Sequence, residues 1–381
     1  MKILVIILPF IIAILLGRIM IPFILLISYK KRLFDPIDSR KLHQRIIPRL
    51  GGVAFAPIQC CLLVISLVVI FKLNPLNIDL QSWAFLPSLM MLVCGLMMLF
   101  MVGLADDLVG VDYKWKFTLQ IIVASFLPLS GVWINDLHGL FSIDELSAWV
   151  GYPLTVFAIV LIINAINLLD GLDGLCAGVV GVGCVVLGSL FVYYGSWIHA
   201  VFAFITAGVL VPFFYFNVFG TYRRKRQIFM GDTGSLTLGY SMAFLAISFA
   251  MSNTYIKPIS DGALVVAFST LIVPVLDVAR VMALRMRLGK PLFKPDRNHL
   301  HHKFLRTGMS HQTAMISILC LALFFCVFNI LMVQIININL VAILNIVLWT
   351  AFHFVFNKIE KRNLNKAGKA LRLQKMEIAN H

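Results

Sequence analysis

Charge is scarce in this chain: Asp, Glu, Lys and Arg make up 13% of its 381 residues, against 60% hydrophobic. A soluble protein of that length could not hide so much apolar surface, which excludes an ordinary water-soluble globule. Paired thiols are missing as well. The seven cysteines, Cys60, Cys61, Cys94, Cys176, Cys184, Cys320 and Cys326, are odd in number, sit in or beside apolar runs and form no CxxC. That excludes a disulfide framework and leaves them as small buried hydrophobes. No internal repeat appears, and no connector is long enough for a soluble domain. Lys2 precedes an apolar stretch, but no small-x-small cleavage site follows it, so a retained helix is expected rather than a signal peptide.

What is abundant is apolar sequence in long runs. Eleven of them, at about 3–28, 51–71, 83–104, 117–135, 150–168, 176–194, 199–219, 234–251, 260–282, 312–334 and 338–357, suit a hydrocarbon core of ~30 Å. The expected fold class is therefore all-α, a polytopic integral membrane protein with about eleven transmembrane helices. Residues 1–357 read as one transmembrane catalytic domain and 358–381 as a basic tail. Pro128 and Gly131 interrupt the fourth run, and Pro153 opens the fifth.

A net charge of +15 by itself would suit a nucleic-acid partner, but its distribution argues against one. Of 32 Lys and Arg, 27 fall in five segments: seven in 30–49, two in 114–116, four in 223–226, seven in 285–306 and seven in 358–375. These are alternate connectors plus the tail, while the intervening connectors hold only Lys72 and Lys257. The positive-inside rule then sets the five segments and the C-terminus in the cytoplasm and the N-terminus outside. The tail "NKIEKRNLNKAGKALRLQK" suits a surface of anionic lipid.

The acids follow the same division, and those on the cytoplasmic side stand beside helix ends, where ionisable groups are costly and usually functional. Asp106 and Asp107 close the third run. Two adjacent like charges need a cation nearby or a raised pKa on one of them, and Lys114 and Lys116 follow two turns later. In "NAINLLDGLDGL", Asn164, Asn167, Asp170 and Asp173 recur at i, i+3, i+6 and i+9, a row of neutral and anionic oxygens on one side of a helix end. Gly171 and Gly174 would let the chain leave that helix. "FMGDTGS" puts Asp232 where free N–H groups at a helix start suit phosphate. "PDRNHLHHKF" sets His299, His301 and His302 among Arg297, Lys294 and Lys303, which suits phosphate oxygens better than zinc. "DPIDSRKLHQRIIPRLGG" is a basic loop, and Asp277 with Arg280 reads as an internal ion pair.

Hard oxygen ligands, phosphate-seeking cations and no nucleophilic Ser or Cys in a recognisable setting fit Mg²⁺-dependent phosphoryl transfer between a soluble nucleotide and a lipid. A cation- or proton-coupled transporter would place its acids nearer mid-membrane, with inverted repeats. "DGLDGLCAG" begins like the CDP-alcohol phosphatidyltransferase signature, but Gly178 stands where Arg belongs and no Asp lies between 174 and 231.

Five stretches in order, "RKLHQRIIPRLGG", "GLADD", "NAINLLDGLDGL", "FMGDTGS" and "PDRNHLHHKF", resemble the polyprenyl-phosphate N-acetylhexosamine-1-phosphate transferases, and within them the undecaprenyl-phosphate GlcNAc-1-phosphate branch. The related phospho-MurNAc-pentapeptide translocases carry three consecutive His where Leu300 interrupts the run here. The resemblance implies transfer of a sugar 1-phosphate, GlcNAc-1-phosphate or that of another UDP-N-acetylhexosamine or UDP-MurNAc-pentapeptide, onto undecaprenyl phosphate, with release of UMP. It implies Asp232 and Asn167 as ligands of Mg²⁺ (or Mn²⁺). Asp106 or Asp107 would engage the lipid phosphate, with Lys116, Asp170 and Asp173 in the catalytic set. Asn164 would line the nucleotide-sugar site, Phe229 would stack on uracil, and Arg297, His299, His301 and His302 would hold diphosphate and sugar. A homodimer is compatible with it.

Overall fold

The computed structural model describes residues 2–33, 47–76, 85–221, 226–252, 262–291 and 298–379, with side chains to 363. Thirteen helices follow one another among these: α1 (Leu4–Lys31), α2 (Phe55–Leu73), α3 (Leu86–Val109), α4 (Tyr113–Leu129), α5 (Ala148–Leu169), α6 (Leu175–Tyr193), α7 (Trp197–Val218), α8 (Gly231–Ala250), α9 (Ala263–Ser269), α10 (Ile272–Arg287), α11 (Leu300–Arg306), α12 (His311–Met332) and α13 (Ile338–Ala379). The described residues contain no strand, only an isolated bridge between Asp136 and Glu145. Among the described residues nine helices are long and apolar enough to cross a membrane. The chain is an all-α polytopic membrane protein.

Two expected crossings differ in detail. The run at 260–282 is not one straight helix: α9 and α10 meet at a bend of 79°. At the break, Ser269 and Thr270 turn their hydroxyls back onto the Val266 and Ala267 carbonyls at 2.6 and 2.8 Å, and Pro274 in the next turn has no N–H to carry the ladder across. The run at 117–135 becomes the 17-residue α4, which starts four residues earlier. Asp112 caps it by accepting from the Lys114 N–H at 2.8 Å, and Ser130–Gly131, with Gly131 at φ +92°, ends it. The earlier start places Lys116 in the first turn of α4. Likewise, the last crossing and the basic tail are one helix, α13, without a break at 357.

α8 is the axis of the bundle. Every residue in it except Asp232 is buried, and α3, α5 and α6 pack around it. In lipid, helices attract one another through close backbone approach and polar side chains rather than through the hydrophobic effect. Both are present. A Cβ on Gly95 would meet Tyr240, one on Gly103 would meet Thr233, and one on Gly239 would meet Ile163 of α5. Gln59 of α2 donates to Thr206 of α7 at 2.8 Å and to Ser241 of α8 at 3.0 Å. All seven thiols are free, and Cys61, Cys94 and Cys320 face outward from α2, α3 and α12 rather than being buried as expected.

Candidate active site

The start of α8 is gripped from both sides. On one side lies the segment 47–54. Gly51 and Gly52 donate their N–H groups to the Phe229 and Met230 carbonyls at 2.9 and 2.8 Å, and the Phe229 N–H donates to the Pro48 carbonyl at 2.8 Å. A Cβ on Gly52 would overlap the Gly234 backbone, and one on Gly231, at φ +75°, would overlap the Arg49 carbonyl. The "RLGG" stretch is thus a glycine platform that lets two backbones touch. Phe229 is half-buried within it.

On the other side, Asp107 reaches from the end of α3. Its carboxylate accepts from the Asp232 N–H at 2.9 Å, the Thr233 N–H at 2.9 Å and the Thr233 hydroxyl at 2.6 Å. A carboxylate on the first N–H groups of a helix is favoured by unsatisfied donors and by the helix dipole. The expectation that these N–H groups await a phosphate is therefore overturned: Asp107 takes them.

Asp106 turns the other way. One oxygen accepts from the Val111 N–H at 2.8 Å, and the other faces the Lys116 ammonium at 3.4 Å. Lys116 also bonds Asp232. It is the cation that the adjacent acids required. Asp232 in turn accepts from the Asn167 amide at 3.2 Å, and the same amide donates to the Ser235 hydroxyl at 2.8 Å. Asp106, Lys116, Asp232, Asn167 and Ser235 form one connected cluster drawn from α3, α4, α5 and α8. Asp106, Lys116 and Asp232 keep 22%, 17% and 24% of their side-chain surface open, enough to receive a ligand.

The row 164–173 does not share one helix face. α5 ends at Leu169, so only Asn164 and Asn167 are helical. Asn164 points away from the cluster, donating to Gln120 of α4 at 2.6 Å and to the Val160 carbonyl at 2.8 Å. Asp170 and Asp173 lie in the turn that follows. Asp173 accepts from Gln227 at 3.1 Å. The turn is pinned by Asn217 of α7, which accepts from the Gly174 N–H and donates to the Ile228 carbonyl at 2.8 Å. Asp170 opens onto the cleft although protein mass encloses it. That enclosure raises its pKa well above the usual carboxylate range; Asp173 and Asp107 add to the rise and Arg49 opposes it.

The histidines form the far wall. Asp277, buried in α10, accepts from His299 Nδ1 at 3.0 Å, from the Leu300 N–H at 3.0 Å and from Arg280 at 2.6 Å. The expected Asp277–Arg280 pair exists, and it also holds His299 and starts α11. Arg280 donates to the Asn298 carbonyl at 2.6 Å. His301 packs against Gly171, where a Cβ would collide with its Nε2, and its ring lies 4.2 Å from that of His302. Burial lowers the His301 pKa to about 3, with His302 and His299 adding to the fall and Asp277 opposing it. Arg297 lies outside the described residues.

The polar supports were not singled out from sequence. Arg49 was counted only toward topology. Gln120, Asn217 and Gln227 were passed over, although a lone amide in or beside an apolar run carries some signal because burying it demands partners.

Comparison with known proteins shows what the chain is similar to. The model of glycosyl transferase family 4 matches residues 89–250, from α3 to the end of α8, which contain the whole connected cluster. The chain is 26% identical over 324 residues to a probable undecaprenyl-phosphate N-acetylglucosaminyl 1-phosphate transferase of Bacillus subtilis, covering 84% of this chain and 83% of that protein. It is 28% identical over 295 residues to the undecaprenyl-phosphate alpha-N-acetylglucosaminyl 1-phosphate transferase of Salmonella typhi, covering 77% and 74%. With the corresponding protein of Escherichia coli K12 it shares 27% over 294 residues. The chain thus carries the glycosyl transferase family 4 pattern and is similar, over most of its length, to the undecaprenyl-phosphate N-acetylglucosaminyl 1-phosphate transferases that its five motifs resemble.

Proposed function

We propose that this protein transfers N-acetylhexosamine 1-phosphate, and specifically GlcNAc-1-phosphate, from the UDP-sugar to undecaprenyl phosphate. The relatives' names support the acceptor and the class of sugar, and the Asp-Arg-x-His-x-His-His form of the last loop supports GlcNAc over the MurNAc-pentapeptide. The observation that carries the reading is the Lys116 ammonium shared by Asp106 and Asp232 at the meeting of α3, α4 and α8. In the reaction an oxygen of the lipid phosphate bonds to the β-phosphorus of the UDP-sugar, the α–β bridging bond breaks, and UMP leaves. Lys116 is set to hold phosphate oxygens against their mutual repulsion. Asp106, with one oxygen facing Lys116, is the acid of the pair with capacity to engage the acceptor, since Asp107 is spent on α8. His299, oriented through Nδ1 by Asp277, presents its other nitrogen for a phosphate or sugar oxygen.

Mg²⁺ fits the donor set. Among the described residues no three His, Cys, Asp or Glu converge, so the protein would offer Asp232 and neutral oxygens, and substrate phosphates would complete the shell, as is usual for this ion. Turning the Asn167 amide over would point its carbonyl at the Asp232 carboxylate, an arrangement that is stable only with a cation between them. Bound there, Mg²⁺ would supply neutralisation of the diphosphate charge.

The basic connectors support a cytoplasmic reaction face, with the N-terminus outside and the C-terminus inside the plasma membrane. The test is a panel of UDP-sugars offered to purified protein with undecaprenyl phosphate and Mg²⁺. UDP-GlcNAc should yield UMP and a lipid diphosphate sugar. UMP from UDP-MurNAc-pentapeptide alone would contradict the GlcNAc assignment.

A further inference from the structure

Outside the cluster, α1 and α7 enclose a groove of about 750 Å³ whose lining includes Arg18, Pro22, Leu26, Tyr29, Tyr215 and Arg226. Its walls face outward: Leu26, Val211 and Tyr215 are exposed on a surface that the bilayer covers. Arg18 is exposed within α1 and makes no ion pair with any described carboxylate. Neither α1 nor α7 contains an Asp or Glu.

The depth of Arg18 follows from packing. The neighbouring Gly17 lies against the Pro212 ring, and α7 runs on to Val218, so Arg18 stands roughly 9 Å below that end of α7 at 1.5 Å per residue. Along α1 it is 13 residues, roughly 20 Å, from Lys31, so the guanidinium springs from within the hydrocarbon and is too deep for free hydration. Intramembrane ionisable groups persist where a partner meets them. At the other end of the groove, Arg226 opens the segment 226–230, whose Gln227 holds Asp173 and whose Phe229 and Met230 carbonyls hold Gly51 and Gly52.

We propose that this groove is a binding site for an anionic glycerophospholipid of the adjacent leaflet. Its phosphate lies between Arg18 and Arg226, and an acyl chain lies along Pro22, Leu26 and Val211. The apolar, bilayer-facing wall selects a lipid over a soluble anion, and two cations with no acid among the described lining residues select an anionic headgroup over a zwitterionic one. A second copy packed through α1 fits poorly, because Arg18 would meet an acid-free helix carrying its own Arg18. Tyr29 and Tyr215 suit the interface, with an apolar body and a polar tip. The site is separate from the basic tail, and its occupancy links the bilayer to the segment that supports Asp173 and the start of α8.

Native mass spectrometry on the full-length, delipidated protein in detergent tests this directly, with phosphatidylglycerol, phosphatidylcholine and undecaprenyl phosphate added separately at equal concentration. No UDP-sugar is present, so the outcome is independent of the proposed activity. Phosphatidylglycerol should be retained about tenfold more than phosphatidylcholine. Arg18→Gln, which removes a charge from membrane depth and so does not threaten folding, should reduce that preference at least fivefold. Leu26→Trp, which fills the groove without changing charge, should lower phosphatidylglycerol retention by a similar factor. Equal retention of the two phospholipids, or an unchanged preference in Arg18→Gln, would overturn the proposal. Arg18-dependent retention of undecaprenyl phosphate in preference to phosphatidylglycerol would overturn it too, by making the groove an acceptor site.

Discussion

Asp106 and Asp107 are neighbours with opposite duties. Asp107 satisfies three donors at the start of α8, and each buried donor left unpaired costs about 1–3 kcal/mol. Asp107→Ala should therefore lower the melting temperature markedly. Asp106→Asn should leave melting nearly unchanged while cutting turnover by two orders of magnitude or more. Melting curves and UMP release on the same preparations would show the split, and equal destabilisation would refute it. His301 makes a second prediction. Its folded pKa of about 3 lies below the ~6.5 of an unfolded histidine. As pH falls below about 6.5 the unfolded chain takes up a proton that the folded one refuses, so stability is lost progressively toward pH 3. His301→Asn, which does not titrate, should reduce the drop in melting temperature between about pH 7.5 and 5.5. At this scale the sequence was most legible where chemistry is unusual: two adjacent acids, an Asp between glycines, a histidine triplet. It was least legible for Asn164. A three-residue spacing cannot reveal that α5 ends at Leu169, and so it cannot separate the amide turned to Gln120 from the one turned to Asp232.

Elements meet through their smallest residues. A side chain at Gly52 would overlap the Gly234 backbone, whereas one at Gly110 would find nothing within 4 Å, and Gly110 bears only a φ of +74°. Gly52→Val should prevent α8 from seating and abolish both a cooperative melt and turnover. Gly110→Ala should cost only about 1–3 kcal/mol, the strain of a side chain at φ +74° and ψ 129°, where L-residues are rarely found. Thermal melts compare the two, and a mild Gly52→Val would contradict the platform role. Among the described residues each of the eleven apolar runs contains helix, nine of them long and apolar enough to cross a membrane and one a bent pair, because length and hydropathy carry that signal; α4, at 17 residues, falls short of that length. The bend between α9 and α10 was hidden, because Ser269, Thr270 and Pro274 look unexceptional inside an apolar run. The early start of α4 was hidden too, because its cap, Asp112, lies among charged residues that read as loop.

Across the whole molecule, the acids and histidines that the sequence distributes over 200 residues converge on one end of the bundle. The wall carrying the histidines is braced from the last helix: Lys303 donates to Asn357 at 2.6 Å, Arg306 to Glu360 at 2.7 Å and Asn363 to the Thr307 carbonyl at 3.3 Å. Residues 357–363 therefore do more than tether a basic tail. By the positive-inside rule the charge pattern predicts the orientation. An impermeant maleimide should label Asn74→Cys on intact cells and Thr221→Cys only after permeabilisation, and the reverse would invert the topology. Charge distribution supports that orientation, but no composition or spacing could show that the Lys116 beside Asp106 would also reach Asp232, because the consecutive α3 and α4 meet an α8 whose Asp232 lies 116 residues on from Lys116. That contact is the core of the account. The most direct measurement is UMP release from UDP-GlcNAc with undecaprenyl phosphate and Mg²⁺, comparing the unaltered chain with Asp232→Asn at matched melting temperature. The account predicts turnover by the unaltered chain and a loss of at least a hundredfold in the variant; unchanged release in Asp232→Asn would contradict it.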